Sequence, residues 1–322
     1  MSSQAIKMFS GMDTAQGVDA YGISGTFSRD MAWQGLVRPG FPGQYPVPGH
    51  GCPEKSGTGS PAPEAVEKDK AMAAVEVRQQ QQKLNRDLKR SMRVDLDKAG
   101  EILKDLVRVS LASPRTRMLA RECDAIAGMA DELFDLPCAV TCLTRVAVHD
   151  QATQLHLVNV MLYCMGYACR NRHGREAVKA YGLAGLLHDV GKLFIPEHLL
   201  TAPRRLAPKE KVRFRRHTDA GVRLLRQGIP DLAVLAAIQD HHERLDGSGY
   251  PRGKAGEQVG EMARVLAIAD TFDALTSGRA YRRAVTPLAA LKKIREEVRA
   301  NRLDSDVFVN FAGSVVGMAL PE

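Results

Sequence analysis

Asp240-His241-His242-Glu243-Arg244-Leu245-Asp246-Gly247-Ser248-Gly249-Tyr250-Pro251 joins two adjacent imidazoles to a glycine-rich turn ending in Tyr-Pro. Neutral imidazoles ligate metals, and a glycine-rich loop offers backbone N–H groups to anions. The histidine pair closes a helix expected to begin around Pro230. A second pair, His188-Asp189, ends another predicted helix, Ala177 to Val190, whose apolar face includes Val178, Tyr181, Ala184 and Leu187. Gly191 and Lys192 follow it. Asp189 and Lys192 are three residues apart, so their side chains can share a face and set an ammonium beside a metal-bound carboxylate. Together the two stretches point to metal-dependent hydrolysis of a phosphorylated substrate.

Working outward, residues from about 115 to 300 read as helices of ordinary length joined by short loops, without strand-like alternation. Pro137, Pro196, Pro203, Pro208, Pro230, Pro251 and Pro287 fall near expected helix starts or in loops. The expected fold class is all-α. His217 falls in a predicted helix starting near Pro208, and Asp270 lies mid-helix among Val265, Leu266, Ile268, Ala269 and Phe272. A carboxylate so placed is costly unless paired or metal-bound. His156 lies among Val158, Met161, Leu162 and Met165, and alone it reads as a satisfied core histidine. Jointly, His156, His188, His217, His241, His242, Asp189 and Asp270 supply N and O ligands suited to two first-row metals sharing a bridging carboxylate. Ligands carried on several packed helices are also how di-iron bundles are built.

Of the 322 residues, 44% are hydrophobic and 25% charged, as in a soluble globular protein, and the formal net charge is +8. That charge suits an anionic ligand, a membrane surface, nucleic acid or plain solubility. Part of it is local: seven Lys or Arg against one Glu lie between Thr201 and His217. No nucleic-acid motif accompanies this run, so nucleic acid is not expected as a partner. No stretch approaches the roughly 20 apolar residues needed to span a bilayer. The first thirty residues lack a basic start followed by an apolar run. The six cysteines show no paired framework. A cytoplasmic protein with reduced thiols is expected, with Cys138 and Cys142 as core thiols.

Three regions are expected: a flexible Gly/Pro/Ser-rich tail over 1–65, a helical N-terminal region over 66–140 and a catalytic domain over 141–322. The 66–140 region carries an amphipathic pattern through Leu84, Leu88, Met92, Leu96, Ile102, Leu103 and Leu106. Its apolar face is expected to pack against the core of the following domain, and the region is otherwise read as regulatory or dimerising, a surface for a second copy or for a signalling partner.

The motifs resemble those of the HD-GYP family, a branch of the HD superfamily of metal-dependent phosphohydrolases. The resemblance spans about Arg145 to Phe311. It rests on His188-Asp189-Val190-Gly191-Lys192, Ile195-Pro196, His217, the His241–Pro251 run, Ala269-Asp270-Thr271-Phe272-Asp273-Ala274-Leu275-Thr276-Ser277 and Arg279-Ala280-Tyr281-Arg282. It implies an HD-type helical bundle that hydrolyses cyclic di-GMP to pGpG or GMP through a metal-bridging hydroxide. It implies that His156, His188, Asp189 and Asp270 hold one metal, with His217, His241 and His242 holding the second and Asp189 bridging. Iron and manganese are the implied metals. Lys192 matches the lysine that meets the scissile phosphate, and Arg279 and Arg282 match basic residues near the substrate.

Some family members add a third metal through a Glu one turn before the first His; Ala152 stands there, so two metals are expected. Tyr250 and Gly249 are expected at the substrate mouth, although a rigid turn explains the glycines equally well. Asp273 is expected to partner either Lys192 or a ligand histidine. Alternatives are a slow cyclic di-GMP receptor acting through protein partners, or an enzyme for a related cyclic dinucleotide or linear pGpG.

Overall fold

The computed structural model describes residue 79 and residues 96–316, apart from 114–115, 117–118, 120–122, 150, 201, 203 and 279–282. The tail expected over 1–65, most of the 66–95 segment, and Arg279 and Arg282 therefore lie outside the described residues.

Among the described residues from 96 to 316, twelve α-helices follow one another: α1 Leu96–Leu111, α2 Cys123–Leu133, α3 Pro137–His149, α4 Gln151–Arg170, α5 Arg175–Leu187, α6 Glu197–Leu200, α7 Pro208–Arg215, α8 His217–Leu225, α9 Leu232–Asp240, α10 Glu261–Thr276, α11 Pro287–Arg299 and α12 Ser305–Val316. Short 3-10 turns cover Val190–Phe194 and Gly256–Gln258. Among the described residues the nearest thing to a sheet is an isolated antiparallel bridge between Asp246 and Ala255. The all-α expectation is met.

Helix α4 is the spine. Every residue from His156 to Ala168 is buried, so this helix has no solvent face and must be wrapped on all sides. Helices α1, α3, α5, α10 and α12 supply the wrapping. Tyr163 on α4, Phe272 on α10 and Phe311 on α12 meet edge-to-face, with ring centroids 5.2 to 6.1 Å apart. The apolar core runs without interruption from Ala99 to Val315. The 140/141 boundary drawn from sequence falls inside α3. Cys142 is a buried free thiol, and burial pushes it up to about 12.

Local capping shapes the region that will matter. Asp231 accepts hydrogen bonds from the N–H groups of Ala233 and Val234 and so starts α9 cleanly. Ala207 has no capping side chain, and Glu210 compensates by accepting the Ala207 N–H at 2.7 Å.

Candidate metal centre

Helices α5, α7 and α9 all end at one place, and a ligand histidine stands at each end. His188 is the C-cap of α5, His241 is the C-cap of α9, and His217 follows the C-cap of α7. Carbonyls in a last helical turn have no intrahelical donor, and the macrodipole makes that end negative. Each histidine uses such a carbonyl three residues back. The Nδ1–H groups of His188, His217 and His241 donate to Gly185, Phe214 and Ile238 at 2.8, 2.8 and 2.7 Å. This fixes the tautomer and leaves each Nε2 as a bare lone pair aimed inward.

His156 reaches the same place from the first turns of α4, oriented by a different device. Its Nδ1 lies 2.7 Å from Asp273 Oδ2, while Asn159 Nδ2 donates to Asp273 Oδ1 at 2.9 Å. Of the two partners expected for Asp273, the structure selects the histidine; Lys192 pairs with Asp189 instead.

The ligand atoms form two groups: Asp189, His217, His241 and His242 in one, and His156, His188 and Asp270 in the other. Asp189 stands between them. Its Oδ1 faces His217 and His241 at 3.3 and 4.0 Å, and its Oδ2 faces His188 and His156 at 3.4 and 3.8 Å. His156 Nε2 is 3.2 Å from Asp270 Oδ1.

These atoms fit a pair of cations. The Nε2 atoms of His156, His188, His217 and His241, and Asp189 Oδ1, are buried with no hydrogen-bond partner. Buried lone pairs left unmatched cost about 1–3 kcal/mol each. Divalent ions held by the two groups would satisfy all five.

The electrostatics agree. Burial pushes His241 down to about 3 and also lowers His217 and His242, keeping them neutral and ligand-competent at pH 7. Burial alone would raise the Asp189 carboxyl, but Lys192, His188 and His217 outweigh it and hold Asp189 well below the usual carboxylate range. His156 is the exception. Burial lowers it, yet Asp270 and Asp273 carry it to about 9, as expected of a ring whose Nε2 faces a carboxylate with only a proton to share. A bound cation would take that proton's place.

His242, Asp270 and Lys192 are only partly buried, so the centre opens to solvent on their side. Tyr250 packs its ring against His242, centroids 4.7 Å apart. Gly249 is required by backbone packing, since a Cβ there would run into Glu243 and Arg244. The glycine-rich turn spends its N–H groups internally. Tyr250 donates to His242 O at 3.2 Å, Ser248 to Asp246 at 2.9 Å, and Arg252 and Lys254 to the buried Glu243 carboxylate at 2.7 and 3.1 Å. Gly247 takes φ of +79°. These bonds make the turn a rigid one and leave its place beside the centre as it stood. Glu243, Asn159 and the helix-end carbonyls went unremarked in the sequence; Asn159 could have been found three residues after His156, on the same helical face.

Asp273→Asn tests the orienting role. We expect metal affinity to fall roughly 10- to 100-fold by chelator competition, with the helical spectrum unchanged.

Fold and site thus define an all-α protein whose helix ends gather two adjoining His/Asp groups, each able to hold a metal ion. The HD domain model matches residues 125–307, and the chain belongs to the HD domain family, whose members are metal-dependent, in keeping with the resemblance to its HD-GYP branch. Its relatives include the cyclic di-GMP phosphodiesterase PA4108 of Pseudomonas aeruginosa, 34% identical over 61% of this chain and 47% of that protein. The 3'3'-cGAMP-specific phosphodiesterase 1 of Vibrio cholerae is 39% identical over 51% of this chain and 38% of its own. The cyclic di-GMP phosphodiesterase response regulator RpfG of Xanthomonas campestris is 43% identical over 36% of this chain and 31% of its own. The chain spans less than half the length of each of these three relatives. Among the described residues, no helix is long and apolar enough to cross a membrane.

Proposed function

We propose that this protein is a metal-dependent phosphodiesterase that hydrolyses cyclic di-GMP to pGpG or GMP. The observation that carries the proposal is Asp189, whose two oxygens face two separate groups of inward-aimed ligands while Lys192 stands beside it. His156, His188, Asp189 and Asp270 would hold one cation; His217, His241, His242 and Asp189 would hold the other. Iron and manganese suit this donor set. Bound there, two cations would supply an acidified water and Lewis acidity toward the phosphate oxygens.

The chain's own residues do the rest. Asp189 keeps its negative charge between the two groups. Lys192, three residues on and partly exposed, offers a fixed ammonium where a phosphate oxygen gains charge. Asp273 holds His156 in place, and Glu243 ties down the turn that carries Tyr250 beside His242. Ala152, exposed one turn before His156, offers no ligand, which supports two metals rather than three. Arg279 and Arg282 remain proposed as basic residues near the substrate. Three of the matched relatives are named 3'3'-cGAMP-specific phosphodiesterases, so that dinucleotide is the second substrate to assay.

The test uses the full chain loaded with iron or manganese under reducing conditions. Metal per chain is counted, and both dinucleotides are followed chromatographically. Two metals per chain and formation of pGpG or GMP are expected. Tight binding of cyclic di-GMP without product would replace the enzyme with a receptor, and three metals would overturn the inference from Ala152.

A further inference from the structure

A cyclic dinucleotide carries two phosphodiesters, and only one can lie at the metals at a time. The other keeps a full negative charge and must either stay in water or meet a cation. Lys192 does not fill that role, because its ammonium is committed beside Asp189 on the reacting side.

Arg215 is placed differently. It is exposed at the C-terminal end of α7, two residues before the ligand His217. Its guanidinium lies over the Tyr250 ring, 4.8 Å from the centroid, and no described carboxylate lies within ion-pair distance of it. Elsewhere in the same basic run, Arg204 is neutralised by Glu210. Tyr250 stands 4.7 Å from His242 and 6.4 Å from His217, ring to ring, so the guanidinium is anchored to the rim of the metal centre. On another side of His217, Phe214 lies 5.6 Å away with Lys192 over its ring. Two cations on two aromatic platforms therefore flank one ligand histidine. The His242 imidazole and the Arg215 guanidinium both contact the Tyr250 ring, which holds the guanidinium at the rim of the centre.

We propose that Arg215, held on Tyr250, is the subsite for the phosphate that is not being cleaved. The proposal rests on the cyclic dinucleotide reading above. A planar guanidinium pairs with two phosphate oxygens at once, and stacking on an aromatic ring orders it before the ligand arrives.

The experiment compares the metal-loaded wild type with Arg215→Ala and Arg215→Lys. Calorimetry gives Kd for cyclic di-GMP, and turnover is measured on cyclic di-GMP and on bis(p-nitrophenyl) phosphate, which has one phosphodiester and nothing for a second subsite. Arg215→Ala should raise Kd and KM for cyclic di-GMP roughly 10- to 100-fold, the range of a hydrogen bond to a charged group. Its kcat should stay within about twofold, because the interaction is the same in ground and transition states. Hydrolysis of bis(p-nitrophenyl) phosphate should be unchanged, and Arg215→Lys should recover part of the affinity.

Wild-type affinity in Arg215→Ala would sink the subsite alone. Equal losses on both substrates would also sink it, assigning Arg215 to the integrity of the centre. A wild type that hydrolyses bis(p-nitrophenyl) phosphate but neither binds nor cleaves a cyclic dinucleotide would overturn the substrate reading and the subsite together.

Discussion

Asp189→Asn should cost at least one of the two metals and lower turnover by roughly a thousandfold or more, equivalent to about 4 kcal/mol of lost transition-state stabilisation. The substitution keeps the side chain's size and removes its charge and one lone-pair oxygen. Asp189 is the residue whose two oxygens face both ligand groups, so an amide can serve one side at most. Lys192 loses its carboxylate partner in the same step. Stability gives a second reading. Metal at a thousand times its Kd stabilises a fold by about 4 kcal/mol, which for a domain of this size raises Tm by roughly 8–16 °C. Wild type should show that rise on metal addition and lose it to a chelator; Asp189→Asn should show half of it or less. A variant that keeps two metals per chain would remove Asp189 from the bridging role.

The candidate ligands were legible in the sequence because the chemistry restricts them. Buried imidazoles and carboxylates on otherwise apolar helices have few uses, and seven of them spread over four or more helices suggest a shared site. The geometry that makes them ligands was not visible. His217 reads as part of one helix from Pro208, yet α7 ends at Arg215 and α8 begins at His217. Arg216 between them has φ −66° and ψ −9°, close enough to helical that local propensity gives no warning. The break matters because it frees the Phe214 carbonyl to orient His217. Asp273 kept two partners open for a similar reason. Its spacing from Asp270 places it on the right face of α10, but only the packing of α10 on α4 brings His156 and Asn159 to it. The glycine-rich turn was ambiguous because glycine serves ligand loops and tight turns alike; the bonds to the buried Glu243 carboxylate that hold it rigid depend on tertiary packing the sequence does not display. Arg215 was one of seven basic residues in a run until the fold set Tyr250 beneath it.

Gly191→Ala should be the most damaging substitution that touches no ligand. Gly191 is the second residue of the 3-10 turn that follows Asp189 and leads into Lys192, and this turn packs on α8 where His217 begins. A Cβ at position 191 would fall on the His217 carbonyl oxygen, 2.6 Å from Gly221 N and 2.8 Å from the His217 carbonyl carbon. All three are backbone atoms of one helix, so no rotamer change can yield space. The turn and α8 must separate, and with them Asp189 Oδ1 and His217 Nε2, now 3.3 Å apart. Overpacking that only backbone movement can relieve costs about 3 kcal/mol or more, or roughly 6–12 °C in Tm. Metal content should fall toward one per chain, the half with His217, His241 and His242 being lost first. The same chemical change elsewhere has the opposite sign. Gly128 lies in the exposed face of α2, where an added Cβ meets nothing within 4 Å. Gly128→Ala should therefore raise stability by roughly 0.5–1 kcal/mol through helix propensity and leave metal content at two. Thermal melts and metal counts on the two variants, side by side, separate a close backbone approach from a general intolerance of alanine. If Gly191→Ala melts with wild type and keeps both metals, the contact between the turn and α8 does not set the spacing of the two ligand groups.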